Sequence, residues 1–121
     1  MSPNILPLFP LGTVLFPGGL LPLRIFEPRY LDLVRDCGRQ GSGFGICLIL
    51  DGHEVGEPAL PAAWGCEARI VDFSATPDGL LGITVQGGRR FHAGQTRVRD
   101  NGLIVAGVRQ WAPTLFLNYK F

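Results

Sequence analysis

The chain has 121 residues, 46% of them hydrophobic and 17% charged, enough for one domain with a modest core. That composition excludes an intrinsically disordered chain. Eleven Lys and Arg against ten Asp and Glu leave a net charge of +1, which gives no electrostatic case for nucleic acid or for an anionic membrane surface.

In chain order, Met1 is followed by Ser2, Pro3 and Asn4, and Pro7 and Pro10 interrupt the first apolar run, so no secretory leader is expected. The stretch LFPLGTVLFPGGLLPLRIFEPRYLDLV, Leu8 to Val34, then holds Pro10, Pro17, Pro22 and Pro28 among large apolar residues. Each proline removes a backbone donor and clashes with a preceding helical turn, so a single helix is excluded. The same prolines, with Arg24, Glu27 and Arg29, exclude a membrane span. The reading is two or three short strands, Ile5 to Phe9, Thr13 to Phe16 and Leu20 to Phe26, folded back at Pro17-Gly18-Gly19.

Glu27-Pro28 predicts a helix start, with proline at the first helical position and an acid at the positive end of the helix dipole. Tyr30, Leu31, Val34 and Cys37 fall on one helical face with Leu33 beside it, and Arg29, Asp32 and Asp36 fall opposite. Arg35 and Arg39 favour the C-terminal end, and Gly38 or Gly41 closes it. Gly41, Gly43 and Gly45 follow a helix and precede an apolar strand, Phe44 to Leu50. That is the reverse of a dinucleotide loop, so they are read as a tight turn. Asp51 to Trp64 reads as a loop, whose His53 and Glu54 have no second histidine near them in sequence to complete a metal site.

The second half reads as strands. Cys66 to Phe73 precedes a turn at Thr76-Pro77-Asp78-Gly79, and Leu80 to Gln86 alternates with Leu81, Ile83 and Val85 on one face. Gly87-Gly88 is read as a break before Arg89 to Ala93 and Thr96 to Arg99. Asp100-Asn101-Gly102 predicts a hairpin turn into Leu103 to Val108. Six or seven strands with one helix give a β-rich α+β domain, a distorted barrel closed by meander or Greek-key connections.

The motifs are poor in catalytic chemistry. There is no G-x-x-x-x-G-K-[ST] and no G-x-S-x-G in the sequence, and Ser42 and Ser74 have no histidine or acid set beside them. Cys66 or Cys47 with His92 could in principle form a nucleophile pair, since strands bring distant residues together. Cys37, Cys47 and Cys66 show no metal-like spacing and are read as reduced, buried thiols of a cytoplasmic protein. No metal, cofactor or nucleotide is expected.

The opening from Pro7 to Val34 resembles the Lon-protease N-terminal domain, also called the Lon substrate-binding domain, with Pro7, Leu8, Leu11, Leu15, Phe16, Pro17, Gly18, Pro22 and Leu23 in the family's places. RIFEPRY at Arg24 to Tyr30 is similar to small stand-alone bacterial members. FGICLI, GCEARIVDF and DGLLGITVQGGRRFH follow in the family's order. The resemblance covers about residues 5 to 111. It implies a distorted six-stranded β-barrel of PUA-like kind with one main helix, over residues 1–112, and leaves 113–121 as an apolar tail. It also implies a non-catalytic module that recognises unfolded or extended polypeptide, or a protein partner, without ATPase or protease activity.

Peptide binding needs exposed apolar surface or an open strand edge, and the candidates are Phe9, Phe16, Leu20, Leu21 and Trp64, with a groove expected beside Pro17-Gly18-Gly19. The alternative is RNA binding through the arginines of the last strands, Arg89, Arg90, Arg97 and Arg99, with Arg109 near them. Phe91 is the one aromatic interleaved with them, and the acids balance the total.

Overall fold

The structure, a computed structural model, describes residues 4–51 and 60–110. The tail 113–121 and the loop residues His53, Glu54 and Glu57 lie outside the described residues. Six strands and one helix run in the order β1 (Asn4–Leu11), β2 (Leu20–Ile25), α1 (Pro28–Gln40), β3 (Phe44–Asp51), β4 (Leu60–Ala75), β5 (Leu81–Val98) and β6 (Ile104–Gln110). They form one mixed sheet in the order β2-β5-β4-β3-β1-β6, and β6 also pairs with β5. Five strands are thereby linked in a closed ring, and β2 hangs on β5 outside it.

The ring explains the prolines of the opening stretch. β1 pairs antiparallel with β6 over Asn4 to Leu8 and parallel with β3 over Leu8 to Leu11. Pro7 and Pro10 each fall where β1 has a partner on one side, so neither costs a ladder bond on the other. Pro22 sits in β2, which pairs with β5 alone among the described residues. Thr13 to Phe16, read from the sequence as a strand, is instead irregular chain. It is anchored by buried Leu15 and by two hydrogen bonds, Gly18 N–H to the Gly87 carbonyl and Gly87 N–H to the Gly19 carbonyl, both 2.8 Å.

Two further readings are corrected. Gly87-Gly88 does not end a strand: β5 runs on for 18 residues, and the glycines mark a shift of register against β4, where the strand can bend. Gly87 has no room for a side chain, since a Cβ there would collide with the Phe16 carbonyl oxygen. β4 begins at Leu60 rather than near Cys66, so Trp64 lies in a strand, opposite His92. Pro61 and Gly65 hide this strand from a propensity reading, yet both pair with β3.

Helix α1 starts at Pro28 and ends at Gly41, whose φ of 65° is the left-handed conformation that glycine adopts freely. Its buried face is rotated from the expected one: Arg29, Tyr30, Leu33, Val34 and Cys37 are buried, whereas Leu31 is exposed. Arg29 goes inward because partners meet it. Its guanidinium lies 3.1 Å from the Glu27 carboxylate, 3.4 Å from the Gly102 carbonyl and 4.9 Å from the centre of the Tyr30 ring. It therefore ties the start of α1 to the β5–β6 turn. The helix covers one core with Phe9, Leu11, Phe44, Ile46, Cys66, Ala68, Ile83 and Val85, while Leu8, Cys47, Phe91, Ala93, Ile104, Ala106 and Val108 form a second.

Candidate functional site

The site grows out of β2. The β5 ladder runs straight through Pro22, which lies opposite Thr84, so the proline nitrogen belongs on the side away from β5. Successive residues of a strand alternate their backbone groups between its two edges, so Leu20 and Arg24 turn their N–H and C=O groups to that same free edge. The edge thus presents two donors, with a gap at Pro22.

Beneath it lies a cavity of about 310 Å³ between β2, the far end of β1 and the start of α1. Its floor is apolar. Phe9 is stacked on Tyr30 with ring centres 4.0 Å apart and planes within 6°, and Leu11 is buried beside them. Pro22, Leu23 and Phe26 form the wall, and Arg24 and Glu27 the rim. Both rim charges are held in place. Arg24 pairs with Asp78, and Glu27 pairs with Arg29. The Thr76 hydroxyl, then the Leu80 N–H and Arg24, hold the Asp78 carboxyl below its ordinary range.

The sequence candidates are distributed unevenly. Phe9 is 5% exposed and belongs to the core, a floor rather than a contact, because Tyr30 covers its ring. Phe16 and Leu20 are 59% and 64% exposed, and Leu21 is half-buried against the core. At Pro17-Gly18-Gly19 the Gly18 N–H and the Gly19 carbonyl are bonded to Gly87, and the Gly19 N–H to the Phe16 carbonyl at 2.9 Å, so these groups are already engaged. The apolar cavity lies at the other end of β2, lined there by Pro22, Leu23, Arg24 and Phe26. Trp64 is 51% exposed but stands on β4, away from β2, edge-on to His92 of β5 with ring centres 4.6 Å apart. Phe26 and Arg24 are not among the sequence candidates; Pro22 in mid-strand is the signal that marks the edge beside them.

The arginine alternative divides in two. Arg97 and Arg99 line a large open cleft of about 1070 Å³ on β5 and β6, together with Arg109 and His92. Arg89 and Arg90 are exposed but do not line it. The nucleophile pairing of cysteine with His92 fails: Cys47 and Cys66 are buried and His92 is exposed. Burial pushes the Cys47 thiol up to about 12, the opposite of an activated nucleophile. Among the described residues no three His, Cys, Asp or Glu side chains are grouped to hold a metal ion, and no helix is long and apolar enough to cross a membrane.

Residues 5–117 match the family profile of the ATP-dependent protease La (LON) substrate-binding domain. The crystal structure of a Lon N-terminal domain protein from Xanthomonas campestris is 55% identical, superposes with a TM-score of 0.80, and is covered over 90% of this chain and 60% of that one. The N-terminal domain of a Mycobacterium avium complex Lon protease, 17% identical, shares the fold with a TM-score of 0.69, over 90% of this chain and 55% of that one. A Lon protease of Cytophaga hutchinsonii is 29% identical over 109 residues, 88% of this chain and 13% of that protein. Lon protease 2 of Myxococcus xanthus is 32% identical over 91 residues, 74% of this chain and 11% of that protein. The chain thus spans a small part of the length of these proteases.

Proposed function

Because the chain belongs to the ATP-dependent protease La (LON) substrate-binding domain family, we propose that it holds extended, apolar polypeptide segments at the free edge of β2. By family it is a binding module and not a catalytic one. The observation that supports the site is a strand edge with no partner strand among the described residues, beside an apolar cavity lined by the same strand. A peptide laid along β2 would bond to the backbone of Leu20 and Arg24 and drop one apolar side chain between Leu23, Phe26 and Tyr30. Phe16 and Leu20 would extend the contact towards the turn. We read the closed ring as a distorted barrel of PUA-like kind, and the three unpaired cysteines as suited to a reducing, cytoplasmic setting.

A short added strand buries little area, so dissociation constants on the order of micromolar or weaker are expected. Fluorescence anisotropy with a labelled, permanently unfolded polypeptide measures them. Phe26→Asp puts a charge into the apolar wall and should weaken binding about tenfold. Arg24→Pro deletes an edge donor while leaving the β5 ladder intact, and should weaken binding well beyond Arg24→Ala. Equal affinity of all three variants and the parent chain would remove β2 from the binding site.

A further inference from the structure

We propose that the open cleft on the outer face of β5 and β6 is a second binding surface, one that takes acidic, extended polypeptide segments. The proposal rests on reading the chain as a polypeptide-binding module, but on different residues from those of the β2 site.

Cross-strand register puts the charges together. His92 stands opposite Arg109 and Arg97 opposite Val105, so all four share one face of the sheet. Ile5 stands opposite Gly107 on the neighbouring strand β1, between Val105 and Arg109 in the period of two. The face therefore has a smooth floor of Ile5, Val105 and Gly107 flanked by Arg97 and Arg109, with Arg99 at its end. Gly94 and Gln95 fall in the register shift between Ala93 and Thr96, which bends β5 and opens the cleft to about 1070 Å³.

Arg24, Arg29 and Arg35 each pair with a carboxylate. Among the described residues, Arg97, Arg99 and Arg109 have no carboxylate within ion-pair reach, and Asp100 is the one acid in the lining. With Asp100 the one described acid in the lining, three guanidinium groups on one side of a nearly neutral chain leave the cleft with a net positive charge. Their fork geometry suits carboxylates and phosphates alike. The floor favours the carboxylate. It is aliphatic, His92 is the one ring among the lining residues, and Trp64 beside it stands edge-on to His92 at the margin. A single-stranded nucleic acid calls for flat rings on which its bases stack. An acidic segment with interspersed apolar residues matches both the arginines and the aliphatic floor.

The test uses the whole chain and three fluorescent probes: a neutral apolar peptide, a peptide of the same length with glutamates interspersed, and a single-stranded RNA. At low salt the acidic peptide should bind more tightly than the neutral one, and the gain should vanish at high salt. Arg97→Glu with Arg109→Glu should abolish the gain, a loss of roughly fivefold to tenfold, and leave the neutral peptide unchanged. Arg97→Gln with Arg109→Gln is the milder pair if charge reversal prevents folding. Loss of neutral binding alone, in Phe26→Asp, concerns the β2 site and leaves this surface standing. An acidic peptide that binds no better than the neutral one, or a gain that survives both pairs of substitutions, overturns the proposal. So does RNA bound through the same arginines that the acidic peptide fails to displace.

Discussion

Burial pushes the Cys47 thiol up to about 12 from an ordinary 9.0, and burial raises Cys37 and Cys66 as well. The consequence for stability has a definite sign. Below the ordinary value the thiol is protonated in folded and unfolded chains, and pH has no leverage through it. Between about 9 and about 12 the unfolded chain gives up the proton and the folded one keeps it, so the unfolded state is favoured as pH rises. Each proton released by the unfolded chain alone costs about 1.4 kcal/mol per pH unit over that window. Urea unfolding at pH 8 and pH 10 should show the midpoint falling, and Cys47→Ala, though less stable at pH 8, should show a shallower fall. A midpoint indifferent to pH between 8 and 10 would mean that these thiols are not shielded as the structure places them.

At the scale of elements, Gly87 and Gly88 make a paired prediction. Gly87 sits where the irregular chain ending at Gly19 docks on β5 through two backbone hydrogen bonds. Gly87→Ala should cost about 2 kcal/mol in chemical denaturation, because the Phe16 carbonyl oxygen occupies the space of its Cβ and cannot move without breaking that docking. A Cβ on Gly88 would find its nearest neighbour, Glu67, at an ordinary 3.7 Å, so Gly88→Ala should stay within about 0.5 kcal/mol of the parent. Equal effects would refute the docking. The pair also shows what a sequence discloses. Gly87-Gly88 punctuates the chain whether it ends a strand or bends one, and only the partner strand β4, distant in sequence, decides which. Local signals sufficed where local chemistry rules: Pro28 and Gly41 bound α1, and Asn101-Gly102 turns β5 into β6, with Gly102 at φ 90°. They failed for Leu60 to Trp64, where pairing with β3 and β5 overrides the prolines and glycines. They failed also for the buried face of α1, where Glu27 and the Gly102 carbonyl draw Arg29 inward. Of the peptide-site candidates, apolarity alone could not separate Phe9, sealed under Tyr30, from Phe16 and Leu20 at the surface.

For the whole molecule, the division between a closed ring and a strand hung outside it sets an order of stability. β3 lies between β1 and β4 and places Phe44, Ile46 and Cys47 among the most buried side chains. Its amides can open to solvent only when the ring itself opens. β2 has β5 on one side, and only Ile25 of its six residues is fully buried. It can therefore detach at a cost well below global unfolding, with the ring intact. Native-state hydrogen exchange should find β3 amides exchanging by global unfolding, with denaturant dependence to match. Leu21 and Leu23, whose N–H groups face β5, should exchange through a smaller opening that denaturant hardly affects. Those same two amides should slow when an unfolded polypeptide is added, since a strand laid on the free edge stabilises β2 between two neighbours. An acidic peptide held on the β5–β6 face touches a different part of the molecule and should leave their exchange rates as they were. If β2 exchanges as slowly as β3 in the free chain, the edge is not available without global unfolding, and recruitment of a peptide there must be abandoned.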